Sequence, residues 1–360
     1  MHSAGAGSFA MKIAQVSSLM EAVPPKLYGG TERIVSYLTD ELVALGHAVT
    51  LFASGDSVTQ ARLEPGWPHA LRLDPQIRDY LAPHIIMLET LARRAREFDV
   101  IHLHIDYLGY PLLRRLGVPF VTTLHGRMDL PELQAIYAAF PDVPVVSISQ
   151  AQREPLPDAG YIGTVYHGLP RQQLLPGRGD AGYLAFIGRM SPEKAPDAAI
   201  RIAGAAGMRI KLAAKVDKAD RAYFDETVEP LLHLPHVEFI GEIGESQKSA
   251  FLGGAAGLLF PIAWPEPFGL AMIEAMACGT PVIAMRRGSV PEIIEDGVSG
   301  FIVDTEAQAV DAVHRLPQLD RARVRQRFET RFTAGRMAID YMRLYESLIA
   351  EHAPPNLALA

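Results

Sequence analysis

The chain has a single cysteine, Cys278, in 360 residues, so no intrachain disulfide can form and a reducing, cytoplasmic setting is expected. No apolar run approaches the roughly 18 residues that a membrane-spanning helix requires, so no transmembrane segment is expected. Positive charge is in short supply: 34 Lys and Arg stand against 41 Asp and Glu, a net charge of -7. That balance argues against nucleic acid as a partner, although a local basic patch would still allow weak membrane contact. Residues 1–10 lack the basic-then-apolar order of a secretory signal and are expected to be a disordered extension. Low-complexity tracts and short-period repeats are missing as well. What remains is 49% hydrophobic and 21% charged, an ordinary composition for a globular protein. A chain of this length accommodates two domains, each with its own core.

The first half alternates strand-like apolar runs with helical patterns. Lys12 to Ser17, Ala48 to Ala53, Val100 to His104, Pro119 to Leu124, Val143 to Ile148 and Gly163 to Tyr166 read as strands. Between them, Thr31 to Leu45 places Ile34, Val35, Leu38, Leu42 and Leu45 at helical spacing, and Ile85 to Glu97 is helical too. The second half repeats the theme, with strands at Tyr183 to Gly188, Ile210 to Ala214, Val237 to Ile240 and Gly257 to Phe260. Such alternation predicts an α/β fold of two doubly wound parallel sheets. The expected domains are 1–170 and 181–332, joined by a linker at 171–180 rich in Gly, Pro, Gln and Arg. A final amphipathic helix, 333–352, is expected to pack back on the first domain. In such folds ligands bind beyond the carboxyl ends of the strands, and a cleft between the two domains is the expected site.

The chemistry-bearing motifs fall just after strands. Gly29-Gly30-Thr31-Glu32 opens a helix, where glycines let a ligand approach the backbone and the helix N-terminus favours an anion. A structural turn with Thr31 as cap explains the same residues. Gly188-Arg189-Met190-Ser191-Pro192-Glu193-Lys194 follows a strand and sets two cations at the cleft mouth. Arg189 can bridge two phosphate oxygens and Lys194 adds a point charge, a pair suited to a leaving diphosphate. From Gly257 through Ala284 runs a strand-loop-helix-strand segment with Glu266 in the loop and Glu274 about two turns into the helix. Glu274 sits among apolar residues, where a carboxylate needs a partner, and a ribose diol would supply one. A ligand with hydroxyls at both ends and phosphates between them is a nucleotide sugar.

Three histidines of the first half are candidates. His102 and His104 share one face of a strand, but no third ligand sits at metal-binding spacing, so no metal and no cofactor are expected. His125 ends a strand beside Gly126, which suits a cleft residue as well as a structural one. His167 is similar, and Cys278 reads as packing.

Taken together, these motifs resemble retaining glycosyltransferases of family 4, which have the GT-B fold. The specific part is the Glu-x7-Glu signature, Glu266 to Glu274. It is supported by Gly188-Arg189 through Lys194, by Gly29-Gly30, and by Gly288-Ser289-Val290-Pro291-Glu292-Ile293-Ile294 followed by Gly297-Val298-Ser299-Gly300-Phe301. The resemblance implies that Glu274 binds the donor ribose and Glu266 the donor sugar. Arg189 and Lys194 bind the diphosphate. The backbone of Phe268, Gly269 and Leu270 faces the phosphate and sugar, Gly29-Gly30 approaches the diphosphate, and His125 sits near the reacting centre. It implies a UDP-sugar donor, UDP-glucose foremost, a small-molecule or glycan acceptor, retention at the anomeric carbon, and catalysis without metal. Where many relatives carry Pro-Asn-Gly, this chain has Tyr166-His167-Gly168. The run Pro24 to Ser57 is similar to a subgroup described as pterin glucosyltransferases. Two rivals keep the same fold: a sugar-nucleotide epimerase and a non-catalytic nucleotide-sugar-binding protein. A dehydrogenase is disfavoured, because Gly-x-Gly-x-x-Gly does not follow the first strand.

Overall fold

The computed structural model describes residues 10–26 and 29–352. The extension expected over the first ten residues therefore lies almost wholly outside the described residues, as do Leu27 and Tyr28. The chain forms two compact units. One comprises Met1–Ile148, Pro155–Val165 and Met337–Ala360, and the other Ser149–Glu154 and Tyr166–Arg336.

The first unit holds a parallel sheet of β1 (Lys12–Val16), β2 (Ala48–Ser54), β3 (Arg62–Trp67), β4 (Val100–Leu103), β5 (Phe120–Thr123), β6 (Val145–Ser147) and β7 (Tyr161–Thr164). Their spatial order is β3-β2-β1-β4-β5-β6-β7. Strands β4, β5 and β6 are buried at every position, as expected of a parallel sheet covered on both faces. The edge strand β3 was not expected. It carries Arg62, Glu64, Pro65 and Gly66, and only an edge tolerates that composition. The short helices Tyr110–Leu116 and Pro131–Ala139 were likewise not expected.

The second unit holds β8 (Tyr183–Arg189), β9 (Arg209–Lys215), β10 (Val237–Gly241), β11 (Gly257–Phe260), β12 (Val282–Met285) and β13 (Gly300–Val303), in the order β10-β9-β8-β11-β12-β13, all parallel. Strand order reverses between β1 and β4 in one sheet and between β8 and β11 in the other, where a crevice opens beyond the strand ends. Segment 171–180, read from sequence as a linker, lies inside this unit. The Gly177 amide donates to the Cys278 carbonyl, the Gly179 amide to Gly253, and the Arg321 guanidinium to the carbonyls of Gly177, Gly253 and Ala255. Its low periodicity reflects a strap held by side-chain donors. The last helix is Ala334–His352, and from Met337 it counts with the first unit. Among the described residues no helix is long and apolar enough to cross a membrane.

Four histidines of the first unit, His47, His84, His102 and His125, are held below the ordinary imidazole range, in each case chiefly by burial. Two of them accept from backbone: the Met11 amide donates to His47 Nδ1 and the Leu19 amide to His84 Nε2. Protonation would replace those acceptors with donors. A depressed histidine is neutral when folded but binds a proton when unfolded below about pH 6.5, so stability is lost as pH falls through that value. These histidines are therefore expected to weaken the first unit by up to about 1.4 kcal/mol per pH unit each, offset in part by Glu32 and Asp106, whose burial-raised carboxyls take up protons more readily in the folded state. A Trp264→Phe variant leaves Trp67 of β3 as the fluorescent reporter. Its urea midpoint is expected to drop clearly between pH 7 and pH 5, and an unchanged midpoint would refute the assignment.

Candidate functional site

In the second unit, β8 delivers Arg189 at its last position, and a turn follows in which the amides of Lys194 and Ala195 both donate to the Ser191 carbonyl. Ala195 takes the left-handed conformation (φ 49°, ψ 55°) that starts the helix Pro196–Ala205, a costly geometry for a residue with a side chain. The Ala263 amide, on the loop leaving β11, donates to the Glu193 carbonyl and ties the two loops together. Across this junction Lys194 Nζ lies 2.5 Å from Glu266 Oε2. The same oxygen accepts from Trp264 Nε1 at 2.8 Å, and the ammonium sits 5.8 Å from the ring centroids of both Phe260 and Trp264. Arg189 is directed elsewhere: its guanidinium lies 3.4 Å from Asp220 and 4.0 Å from Asp217. The two cations paired by sequence thus have different acidic partners.

The loop after Glu266 is built tightly. Gly269 has φ 84° and caps the helix Leu270–Ala277, and a Cβ there would lie 2.7 Å from Met272 Cε. Gly288 (φ 51°) passes so close to the Glu266 backbone that any side chain would collide with its carbonyl and amide. The Ser289 amide donates to the Glu266 carbonyl and the Ser289 hydroxyl to the Phe268 carbonyl. Phe268 itself packs inward against Tyr166, His167 and Phe332, so only its backbone is available to a ligand. The first amides of the helix have no acceptor within it, which suits an anion at this end.

Glu274 is the fifth residue of that helix, about one turn in rather than two, because Gly269 starts the helix late. It is buried, and its partner is a residue sequence reasoning missed: Lys248, whose Nζ lies 2.6 Å from Glu274 Oε1 and also pairs with Glu245. Burial works to lower the Lys248 ammonium, but the two glutamates outweigh it and hold it above the ordinary lysine range. The partner that sequence reasoning required for Glu274, and sought in a ribose diol, is thus met within the protein by a cation. The helix Glu245–Gly254 gives little sequence signal, since its apolar periodicity is weak.

The remaining candidates belong to the first unit. Gly29 precedes and Gly30 opens the helix Gly30–Ala44. Glu32 in its first turn is buried, and burial raises its carboxyl above the ordinary range, with Glu21 adding to the effect. This N-terminus thus already has an acid beside it. His125 follows β5, and its Nε2 lies 2.8 Å from His104 Nδ1. His102 and His104, weighed from sequence as a metal pair, use their nitrogens on protein groups instead. His102 contacts Tyr345 and Thr123, and His104 contacts Gln15 and His125.

Solved structures with this architecture define its class. A sucrose-phosphate synthase from Thermosynechococcus elongatus superimposes with a TM-score of 0.78 over 95% of this chain and all of its own, at 20% identity. Anabaena HepE in complex with UDP-glucose gives 0.69 over 94% and 100%, at 17% identity. Two parallel sheets with covering helices, shared with these proteins, make this an α/β protein of the GT-B fold. Two family models match the chain in succession, Glycosyltransferase Family 4 over residues 28–156 and Glycosyl transferases group 1 over residues 175–331. Together they span about four-fifths of it, and the chain belongs to the glycosyltransferases of this group. A D-inositol 3-phosphate glycosyltransferase of Saccharomonospora viridis is 28% identical over 83% of this chain and 84% of its own length. Against the protein of that name from Mycolicibacterium smegmatis, at 27% identity, the chain spans 56% of the relative's length.

Lys248→Met would leave Glu274 as an unpaired buried charge and is expected to destabilise the second unit by about 3 kcal/mol. Adding Glu274→Gln should restore most of that loss. A double variant no more stable than Lys248→Met alone, read by urea denaturation, would show that the pair is not what holds Glu274.

Proposed function

We propose that this chain transfers a hexose from a nucleoside-diphosphate sugar, UDP-glucose foremost, to an acceptor hydroxyl with retention of anomeric configuration. The observation that carries this reading is the Lys194–Glu266 pair, held on loops leaving β8 and β11 where the sheet order reverses. In the proposed complex Lys194 neutralises the diphosphate as the glycosidic bond breaks. Both protein bonds to the Glu266 carboxylate fall on Oε2, and Oε1 is the oxygen offered to a sugar hydroxyl. Glu274, with Lys248 fixing its charge, receives the ribose hydroxyls. Arg189 turns from the long pairings with Asp217 and Asp220 to the phosphates. Gly29, Gly30 and the amides at Phe268, Gly269 and Leu270 add backbone donors, and His125 lies by the reacting carbon. The departing phosphate takes the acceptor proton, so neither a protein nucleophile nor a metal is called for.

The donor class is supported by HepE, a protein of the same fold seen with UDP-glucose. The acceptor is read as a small hydroxylated molecule in the cytoplasm. Support comes from relatives named for D-inositol 3-phosphate and from the likeness of Pro24–Ser57 to pterin glucosyltransferases.

A thermal-shift series with UDP-, GDP- and ADP-glucose tests the donor. One of them is expected to raise the melting temperature, since a ligand bound only to the folded state stabilises it; no shift with any of the three would sink the reading. Arg189→Ala and Lys194→Ala are each expected to lower turnover at saturating donor about tenfold or more. Glu274→Gln is expected to weaken nucleoside-diphosphate binding by calorimetry, and full affinity would overturn its ribose role.

A further inference from the structure

Glu266 has two donors on one oxygen, and the proposed transfer gives a role to only one of them. Lys194 Nζ lies 2.5 Å from Glu266 Oε2, and Trp264 Nε1 donates to the same oxygen at 2.8 Å. The indole belongs to the loop leaving β11, two residues before the carboxylate it meets, and Pro265 between them restricts that stretch of backbone. The chain is held on both sides of the contact: the Ala263 amide donates to the Glu193 carbonyl, and the Glu266 carbonyl accepts from the Ser289 amide. The centroid of the indole also stands 5.8 Å from the Lys194 ammonium, within cation–π range. One side chain thus engages both members of the ion pair.

The two donors are not equivalent. An ammonium has three N–H groups on a flexible stem and can change partners, whereas an indole has a single N–H on a rigid ring. Glu266 is 9% exposed, and a carboxylate so buried that loses its last donor is left with the full cost of its lost hydration. With Lys194 as the sole donor, a phosphate that drew the ammonium away would strand Glu266. With the indole N–H in place, the ammonium can turn to a phosphate while the carboxylate keeps a hydrogen bond and its orientation. The Phe260 ring, its centroid also 5.8 Å from the ammonium, supplies a second aromatic wall, so the contribution particular to Trp264 is the N–H.

We infer that Trp264 is a positioning residue: its indole N–H holds Glu266 in place when Lys194 turns from the carboxylate to the diphosphate of the donor. This role rests on the reading of Lys194 as a ligand of that diphosphate. The exchange conserves hydrogen bonds, since the ammonium gives up one acceptor and gains another while Oε2 retains the indole. It also keeps the Glu266 carboxylate turned the same way before and after the donor arrives. A phenylalanine at 264 would leave the cation between two aromatic rings but would make Lys194 the only printed donor to Glu266, so that carboxylate and phosphate would compete for one ammonium.

The chain has two tryptophans, Trp67 and Trp264, so a 1H–15N spectrum of the full chain labelled with 15N-tryptophan has two indole signals, and the one lost in Trp264→Phe belongs to Trp264. In Lys194→Met, without ligand, the indole becomes the main donor to Glu266, its hydrogen bond shortens, and its proton signal is expected to move downfield. Saturating the wild type with UDP is expected to move the same signal in the same direction. A signal that stays put or moves upfield in Lys194→Met overturns the inference whether or not sugar transfer is ever detected. In Trp264→Phe the affinity for UDP is expected to fall about tenfold by calorimetry, while the affinity for uridine, which has no phosphate, is unchanged. Equal losses for both would show that the indole only supports the shape of the site and would overturn its role in the exchange. If Lys194→Met does not fold, the contrast between UDP and uridine decides. A wild type that does not bind UDP counts against the transfer reading alone, and the Lys194→Met spectrum then decides for the indole.

Discussion

A carboxylate withdrawn from water needs a partner, and the second unit supplies a cation twice within one short segment. Glu266 is neutralised by Lys194, which arrives on the loop after β8, and Glu274 by Lys248, which arrives on the helix Glu245–Gly254. Neither lysine is near its glutamate in sequence. Each pairing therefore depends on the sheet order that brings β8 beside β11 and packs the helix Glu245–Gly254 near the helix Leu270–Ala277. Desolvated pairs of this kind add little net stability, because the attraction between the charges mainly offsets their loss of water. Their value is positional. A lysine locked to a glutamate keeps one rotamer, and a ligand that replaces the contact meets a charge already in place.

That constraint explains the glycines around the site. Glu266 can hold its carboxylate toward Lys194 only if its own backbone is clamped, and the clamp is the Ser289 turn lying directly on it. Gly288 must lack a side chain for that turn to approach, and Gly269 must bend left-handed to begin the helix immediately after the loop. Ser289 closes the arrangement through the carbonyls of Glu266 and Phe268. The motif from Gly288 to Ile294 is thus a brace for the segment from Glu266 to Leu270, which accounts for both occurring in one chain.

Much of this was legible in the residue order, and what was hidden was hidden for physical reasons. The buried parallel strands β1, β2, β8 and β11 announce themselves as apolar runs, and the loops after β1, β8 and β11 carry the motifs. Strand β3 does not, because an edge strand needs no apolar alternation. Lys248 left no local trace: a lysine on a weakly amphipathic helix looks like a solvated one until the fold sets a buried glutamate against it. The strap at 171–180 resembled a linker because backbone held by Arg321 and Arg325 needs no periodicity of its own. Gln15 did leave a signal. A polar side chain in the middle of Lys-Ile-Ala-Gln-Val, in a strand buried on both faces, demands hydrogen-bond partners. His102 and His104 on the adjacent strand were already in view as candidates.

The polar groups buried around Glu266 and Glu274 and those buried around Gln15 are satisfied in different ways. The second unit uses full charges there, matched in pairs. Around Gln15 the first unit uses neutral groups: imidazoles kept uncharged by burial, joined through an amide and hydroxyls. A neutral chain avoids the desolvation cost of ions, but it works only if every donor finds an acceptor, so each proton is fixed by its neighbours.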